Sequence, residues 1–438
     1  MKKAYQYILF IVLLTNSAWT QSFNHQMLDS FFTTLESANR LMGSIAINQS
    51  GKIIYTKQVG LSNIEKKIKP NNFTKYRIGS ITKTFTSVLI HQAIEENILS
   101  GEEKLFQYFP TIQNADKITI NNLLNHTSGI YNYTDDSSYF DWSSKPHTRD
   151  EVLQIIKKGG TVFIPGTKAE YSNSNYYLLS LILEKKYQKS YSQLVREKII
   201  TKIGLKNTAV GKKINSGANE AISYYYKGDW EKATETDMSV PLGAGSIVST
   251  PSDITRFVHG LFAGSLISLE SLEQMKKETF HFGKGLFVLS FPDAKGYGHT
   301  GGIDGFTSVF CYFPELKTSF AFSANGINYP YNKISQTLAK AILNKPYEIP
   351  VFFSLTIAAD TLKTYAGSYS SKELPIKIDI SINKTVLMAQ ASGQPAFALE
   401  AIAHNQFKLE QVGAVLEFIA NGQMKLIQGG RTFLFTKE

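Results

Sequence analysis

Cysteine is nearly absent from this chain, which has one in 438 residues. That residue, Cys311, lies inside an apolar run over residues 309–313. A single thiol can form neither an intramolecular disulfide nor a metal site that needs several cysteines. The sequence therefore predicts that Cys311 is a small buried hydrophobic residue on a strand, and it disfavours a catalytic thiol.

Long stretches of one charge are also missing, although the formal net charge is +10. Lys2 and Lys3 carry two of these charges, and the rest are spread along the chain in short clusters such as Lys66-Lys67. Nucleic-acid-binding proteins concentrate basic residues on one segment or face, so no nucleic-acid partner is expected. Hydrophobic residues make up 43% of the chain and charged residues 19%, which is ordinary for a globular protein.

The N-terminal apolar run, residues 7–14, is too short to span a bilayer, which takes about 20 residues. Lys2 and Lys3 precede it, and small residues around Ala18 follow it. This pattern is typical of an export signal. We therefore predict a signal peptide over residues 1–20, a periplasmic or secreted protein after cleavage, and no stable membrane anchor.

The remaining chain divides by its hydrophobic pattern into two parts and a connection. Over residues 21–345, a hairpin signal at the start and strand-like runs at the end enclose helix-like stretches. That order predicts a mixed α/β domain of the α+β type, in which a sheet assembled from both ends of the domain has the helices packed on it. Residues 346–359 are predicted to be a linker. Residues 360–438 alternate apolar and polar positions and contain Asn421-Gly422, a hairpin signal, so a small all-β barrel or sandwich is expected there.

Ser80 and Lys83 lie three residues apart at the start of a helix-like run that continues to about residue 99. Residues with this spacing share one face of a helix, with Cβ atoms about 5–6 Å apart. A lysine with a depressed pKa can take the proton of a serine hydroxyl, which makes Ser80 a candidate nucleophile. Ser381 and Lys384 repeat the spacing on a predicted strand, where residues three apart point to opposite faces. That second pair is not expected to form a site.

Two further segments have to meet Ser80 if it is catalytic. Tyr171 and Asn173 are two residues apart after a Pro-Gly turn, so both can point the same way from an extended segment. The glycine-flanked strand over residues 298–302 offers an edge that a substrate can approach closely. Asp304 follows His299 by five residues and suggests a Ser-His-Asp arrangement. The chain has no Gly-x-Ser-x-Gly motif, however, so an α/β-hydrolase is disfavoured.

Three motifs now stand in order: Ser80-Ile81-Thr82-Lys83, Tyr171-Ser172-Asn173 and His299-Thr300-Gly301. With supporting stretches such as residues 123–129, the chain resembles the serine β-lactamase and penicillin-binding-protein superfamily over about residues 25–345. Within it, the chain is most similar to the group of class C β-lactamases, D-amino-acid peptidases and related esterases. The resemblance implies an antiparallel sheet flanked by helices, with a helical subdomain. The segment 360–438 resembles the lipocalin-like tail attached to some of these hydrolases.

The resemblance implies a role for each matching residue. Ser80 would attack a carbonyl and become acylated, and Lys83 and Tyr171 would move the proton, with Tyr171 as a phenolate or as a relay. The backbone N–H groups of Ser80 and Gly302 would form the oxyanion hole, and water would then hydrolyse the acyl-enzyme without a metal or cofactor. The implied substrate-binding residues are Asn173, His299, Thr300, Gly301 and Gly302. His126 is not expected to be catalytic.

His299 stands where penicillin-recognising relatives have a lysine. An imidazole has an unperturbed pKa of about 6.5, so it would hold a substrate carboxylate less firmly, and turnover of anionic substrates would rise as the pH falls toward about 6. We therefore expect a small-molecule or peptide substrate hydrolysed at a peptide, amide or ester bond. The activity would be of the D-amino-acid peptidase, DD-carboxypeptidase or esterase type, with weak β-lactamase activity.

Two alternatives concern the whole protein and its tail. The chain could be a non-catalytic penicillin-binding or cell-wall-ligand sensor that retains the fold. The tail could be a ligand module, or it could assemble copies of the chain into a homo-oligomer.

Overall fold

The computed structural model describes residues 23–352, 355–392, 394, 396–409 and 412–438. The predicted signal peptide at residues 1–20 lies outside the described residues. Within the described ranges, no helix combines the length and the apolar character needed to cross a bilayer.

Helices lie mainly between the first hairpin and the last strands of the N-terminal part, as the sequence pattern predicted. In the described part of the chain the α-helices are α1 (His25–Ser37), α2 (Thr82–Glu95), α3 (Ile120–Leu124), α4 (Tyr139–Trp142), α5 (Arg149–Gly159), α6 (Asn173–Tyr187), α7 (Tyr191–Val195), α8 (Thr201–Ile203), α9 (Pro251–Phe262), α10 (Leu269–Lys276), α11 (Tyr331–Ile342) and α12 (Ala359–Tyr365).

Strands occur in both parts of the chain. They are β1 (Leu41–Gln49), β2 (Lys52–Val59), β3 (Tyr76–Arg77), β4 (Ala209–Val210), β5 (Tyr224–Tyr226), β6 (Trp230–Lys232), β7 (Ile247–Ser249), β8 (Phe287–Phe291), β9 (Ala294–Ile303), β10 (Phe306–Phe313), β11 (Thr318–Ile327), β12 (Gly367–Ser370), β13 (Lys377–Asn383), β14 (Val386–Ala391), β15 (Phe397–Ala398), β16 (Glu400–Ala403), β17 (Gln406–Leu409), β18 (Ala414–Ile419), β19 (Gln423–Gln428) and β20 (Arg431–Lys437).

The main sheet has the strand order β2-β1-β11-β10-β9-β8, and its pairs are antiparallel. The N-terminal hairpin therefore pairs with the end of the same domain, with Ile45 opposite Phe322. The hairpin turns at Ser50 and Gly51, both with positive φ, which is the geometry of a two-residue hairpin loop. The prediction of a sheet assembled from both ends of the domain is confirmed.

Both faces of this sheet are covered, and β10 shows why its sequence is apolar over residues 309–313. Val309, Cys311 and Phe313 pack with α1 and α11 in one core cluster. Phe310 and Tyr312 belong to the cluster on the opposite face, with α2, α6 and α9. Successive side chains of a strand point to opposite faces, so both sets are buried, and the predicted burial of Cys311 on a strand is confirmed.

Helix α2 runs through the second core rather than along its surface. Residues 82–93 are all buried, and the ring of Phe85 stacks on Phe257 of α9 with centroids 3.7 Å apart. Truncating a buried phenylalanine to alanine costs about 3–5 kcal/mol, so Phe85→Ala should destabilise the fold by that amount. The helix that begins beside Ser80 is therefore held rigidly from all sides.

The C-terminal strands form one sheet in the order β15-β14-β13-β12-β20-β19-β18-β17-β16. Its two edge strands, β15 and β16, are separated in the chain by Leu399 alone, so the sheet must curve until its edges nearly meet. Asn421 and Gly422 both have positive φ, as the hairpin signal required. The prediction of a small antiparallel barrel is confirmed, and the domain boundaries at residues 345 and 360 stay predictions.

The second Ser-x-x-Lys pair lies in this barrel, away from any helix. Ser381 is an exposed residue of β13, and Lys384 follows the strand with a φ of 56°. The Lys384 ammonium lies 3.5 Å from a carboxylate oxygen of Asp229. The spacing at Ser381 therefore produces a strand and a turn, as its sequence context indicated.

Candidate active site

Ser80 lies in a 3₁₀ turn, Gly79–Ile81, that leads directly into α2; we call it the Ser80 turn. Gly79 has a φ of 51°, and a Cβ there would lie 2.8 Å from the backbone N of Gly302 on β9. Only glycine combines that conformation with so close an approach. The turn is therefore pressed against β9, with the Ser80 side chain at the junction.

Lys83 is fully buried in the first turn of α2. Its Nζ lies 3.0 Å from Ser80 Oγ, 2.7 Å from Asn173 Oδ1 and 2.8 Å from the carbonyl oxygen of Ala244. These partners are neutral, and burial lowers the pKa of Lys83 well below its usual value. A neutral amine has two N–H donors and a lone pair, so in that state the Ser80 hydroxyl donates to Nζ. This arrangement prepares the proton transfer that a serine nucleophile needs.

Tyr171 precedes α6 and approaches the same amine. The Nζ of Lys83 lies 4.8 Å from the centroid of the Tyr171 ring, and the Tyr171 side chain also contacts Ser80. Burial raises the pKa of Tyr171 above its usual value, and the contact with Ser80 opposes this only in part. The phenol therefore keeps its proton at neutral pH.

Asn173 is the first residue of α6 and is held at three points. Its Oδ1 accepts from Lys83, its Nδ2 donates to Thr134 Oγ1 at 2.9 Å, and its backbone N donates to Asn132 Oδ1 at 2.9 Å. The contact with Thr134 fixes which amide atom faces the lysine. Sequence reasoning missed Asn132 and Thr134, because the stretch around them shows no periodic pattern.

The strand β9 brings the third motif against the Ser80 turn. A Cβ on Gly301 would lie 2.0 Å from the carbonyl oxygen of Ile78 and 3.1 Å from the backbone N of Ser80. Gly302, the next residue, is exposed, and Thr300 is half-buried. Gly79 and Gly301 therefore allow the backbone of the Ser80 turn to touch the backbone of β9, next to Ser80.

His299 is buried to 2% exposure on the same strand. Its Nδ1 lies 2.6 Å from the carbonyl oxygen of Thr300, so Nδ1 carries the hydrogen, and its ring lies 4.6 Å from the ring of Phe287. Burial first, and the nearby Lys83 second, lower the pKa of His299 to about 3. The expectation that this imidazole titrates near neutral pH is wrong: it is neutral throughout that range.

Asp304 does not serve His299. Its carboxylate accepts from Arg77 Nη1 at 2.8 Å and from the backbone N of Thr236 at 2.9 Å. Both side chains of this ion pair are 1% exposed, and Arg77 also reaches Glu235. The suggestion of a Ser-His-Asp arrangement is therefore replaced by a buried structural ion pair beneath the site.

His126 is a neighbour of the site that sequence reasoning left aside. Its ring lies 4.6 Å from the Tyr171 ring and 5.2 Å from that of Phe282. It stands in the stretch 123–129, which supported the family resemblance, although His126 itself was not expected to be catalytic. The signal that could have found it is the combination of a histidine with a turn that leads toward the second motif.

A serine and a lysine one helical turn apart, a tyrosine and an asparagine on the lysine, and a glycine strand against the serine define a site for acyl transfer through serine. The Beta-lactamase family model matches residues 28–342, and the chain belongs to this family. It is accordingly a serine hydrolase of the β-lactamase and DD-peptidase type.

Similar proteins cover most of the chain. Penicillin-binding protein 4* of Bacillus subtilis is 26% identical over 422 residues, which are 89% of this chain and 93% of that protein. The structure of the D-amino acid amidase from Ochrobactrum anthropi matches with a TM-score of 0.65 and 25% identity, over 73% of this chain and 99% of the amidase. The octameric penicillin-binding protein homologue from Pyrococcus abyssi shares the fold, with a TM-score of 0.65 and 24% identity over 94% of this chain and 99% of its own.

Proposed function

We propose that this serine hydrolase is exported and cleaves an amide, peptide or ester bond next to a D-amino acid, through an acyl-enzyme on Ser80. The observation that carries the proposal is the contact of 3.0 Å between Ser80 Oγ and a buried lysine amine with neutral partners. A buried lysine of lowered pKa is a general base at neutral pH. The similarity to a D-amino acid amidase supports the substrate class.

In the first step, Ser80 Oγ attacks the substrate carbonyl carbon and its proton passes to Lys83 Nζ. The proton is then relayed by Tyr171 to the leaving nitrogen or oxygen as the carbonyl–heteroatom bond breaks. Tyr171 acts as a relay and not as a resident phenolate, because burial raises the pKa of its hydroxyl. Water then attacks the acyl-enzyme, with the same groups moving its proton in reverse.

The backbone N–H groups of Ser80 and Gly302 are proposed as the oxyanion hole. The contacts that a Cβ would make at Gly79 and Gly301 show that these two backbone segments touch. Each donor of such a hole contributes about 2.7–4 kcal/mol to transition-state stabilisation. The role depends on that contact and on no side chain, which explains the glycine at position 301.

The charge of the site favours substrates without a recognised carboxylate. His299 is neutral at physiological pH and supplies no fixed cation where penicillin-recognising relatives have a lysine. The half-buried Phe282 and Phe287, whose rings lie 5.7 Å apart, extend from Tyr171 to His299. We therefore propose amides and esters of D-amino acids with apolar side chains as better substrates than carboxylate-bearing β-lactams.

The central test is labelling of Ser80 by a fluorophosphonate, followed by turnover of D-phenylalanine amide, its L enantiomer, a D-alanyl ester and a cephalosporin. Wild type should be labelled and should prefer the D-amide, whereas Ser80→Ala should lose both properties. Ser381→Ala, which alters the second Ser-x-x-Lys pair, is the matched control and should behave as wild type. Hydrolysis that persists in Ser80→Ala would refute the enzyme proposal, and unlabelled wild type would support the non-catalytic sensor.

Export and assembly are separate parts of the proposal. Cleavage of the predicted signal peptide should yield a mature N-terminus at Gln21, which sequencing of the secreted protein checks. The similarity to an octameric homologue supports a homo-oligomer in which the C-terminal barrel takes part. Light scattering on the full mature chain and on a chain ending at residue 345 would test this. The same number of chain copies per particle in both proteins would refute a role for the barrel in assembly.

A further inference from the structure

His126 has no part in the steps above, yet it holds the segment that carries Tyr171 and Asn173. It is 2% exposed and has a left-handed backbone with a φ of 61°. Its carbonyl oxygen accepts from the backbone N of Glu170 at 3.1 Å, and its ring lies against the Tyr171 ring. Both the backbone and the ring of His126 therefore contact the second motif.

The hydrogen bonds of its ring define the tautomer. The backbone N of Ser172 lies 3.2 Å from His126 Nδ1, and the side-chain Nδ2 of Asn175 lies 3.3 Å from the same atom. The backbone N–H of Ser172 can only donate, and the Oδ1 of Asn175 accepts from Ser128 Oγ at 2.6 Å, which leaves its Nδ2 facing the imidazole. Two donors thus converge on Nδ1, which must carry a lone pair, and the hydrogen is on Nε2.

Ser172 stands between the two residues that reach Lys83 and Ser80. It is 2% exposed, and a buried backbone N–H that loses its acceptor is strongly disfavoured. Without the imidazole, this N–H would have to move toward another partner and would carry Tyr171 and Asn173 with it. Burial also lowers the pKa of His126 well below its usual value, so the lone pair stays available at neutral pH.

We propose that His126 is a positioning residue for the reaction, holding residues 171–173 in register with the Ser80 turn through its Nδ1 lone pair on the Ser172 N–H. The inference rests on the proposed acyl-enzyme function. It assigns His126 no contact with the substrate. Its effect is on the rate of acylation and not on substrate affinity.

The test compares two substitutions that both branch at Cγ, as the imidazole does, and that differ in whether they offer a hydrogen-bond acceptor. His126→Asn keeps an acceptor, Oδ1, near the place of Nδ1, and asparagine tolerates the left-handed backbone; His126→Leu keeps the volume but has no acceptor. We expect His126→Leu to lower the acylation rate constant about 10- to 100-fold with KM changed less than about threefold. His126→Asn should remain within about threefold of wild type by the same criterion.

His91 provides the matched control, since it is 3% exposed on α2 and its Nδ1 donates to its own helix, at Ser87 O. His91→Leu should lower the melting temperature while acylation stays within about threefold of wild type. Equal acylation rates for His126→Asn and His126→Leu, or a loss confined to KM, would overturn the proposal. If His126→Leu does not fold, a rate for His126→Asn below one tenth of wild type overturns it. Failure of wild type to be labelled at Ser80 would instead refute the proposed function.

Discussion

Gly301 is the point where β9 meets the Ser80 turn, and one added methyl group there should separate the two. A Cβ at this position would lie 2.0 Å from the carbonyl oxygen of Ile78 and 3.1 Å from the N of Ser80. Relief of the first contact requires the strand or the turn to move by about 1 Å, a displacement that costs about 10²-fold in rate when it occurs at a reacting centre. Gly301→Ala should therefore lower the acylation rate constant about 100-fold.

The same substitution also strains the fold, so a control has to separate stability from catalysis. Gly298 lies on the same strand, and a Cβ there would lie 2.1 Å from Phe310 O, on β10 and away from the Ser80 turn. Overpacking of this kind costs about 1–3 kcal/mol, so both variants should unfold at lower urea concentration than wild type. Only Gly301→Ala should lose more of its acylation rate than its loss of stability explains.

The assay is stopped-flow or gel-based labelling of Ser80 at a temperature where both variants are folded. A Gly301→Ala protein that is acylated at the wild-type rate would refute the placement of the oxyanion hole between the turn and β9. A Gly298→Ala protein that is acylated as slowly as Gly301→Ala would show that loss of sheet stability, and not the local contact, governs the rate.

Three further predictions concern charge. The acidic side of the pH profile of kcat/KM should report the ionisation of Lys83, because His299 is already neutral above pH values near its pKa of about 3. Activity should rise as the pH passes the lowered pKa of Lys83, and His299→Gln should show the same rise. If His299→Gln loses this rise, the ionisation belongs to the histidine. Between the lowered pKa of Lys83 and the usual 10.5, the unfolded chain carries a proton on Lys83 that the folded chain lacks. The stability of wild type relative to Lys83→Met should therefore rise with pH in that window, by up to about 1.4 kcal/mol per pH unit. A stability difference that does not change with pH, measured by paired urea titrations, would contradict a buried neutral lysine. Arg77→Met should lower the free energy of unfolding by about 3–5 kcal/mol, because it leaves Asp304 buried without a cation. The double variant Arg77→Met, Asp304→Asn should recover part of this loss. If urea unfolding shows that Arg77→Met lowers the free energy of unfolding by less than about 1 kcal/mol, the buried pair is contradicted.

Local geometry explains which parts of the site could be predicted from the sequence. Ser80 and Lys83 meet, with 3.0 Å between Oγ and Nζ, because the Ser80 turn runs directly into α2 and helical periodicity places residues three apart on one face. The turns at Ser50-Gly51 and Asn421-Gly422 are likewise local, since both need residues that tolerate positive φ. These features follow from neighbouring residues and were predicted correctly.

The partners that complete the site come from distant segments and could not be predicted in this way. The carbonyl of Ala244 lies 161 residues from Lys83, and His126 lies 46 residues from Ser172. Such contacts depend on how helices pack, and irregular stretches show no period that would reveal it. The ionisation of His299 was predicted wrongly for a related reason: a residue type gives the pKa in water, whereas burial sets the pKa in the protein.

The site is neutral in a chain whose formal net charge is +10, and this neutrality has one physical origin. Lys83, His126 and His299 are all buried, and burial is the first cause that lowers the pKa of each. The proximity of Lys83 further lowers the pKa of both histidines, so protonation of any one of the three opposes protonation of the others. The hydrogen-bond partners of the Lys83 amine are neutral, so no carboxylate among them stabilises the ammonium form against burial. Burial frees the lone pair of Lys83 for Ser80. It also keeps His299 neutral, so the third motif offers no fixed cation of the kind with which a lysine there would bind an anionic substrate.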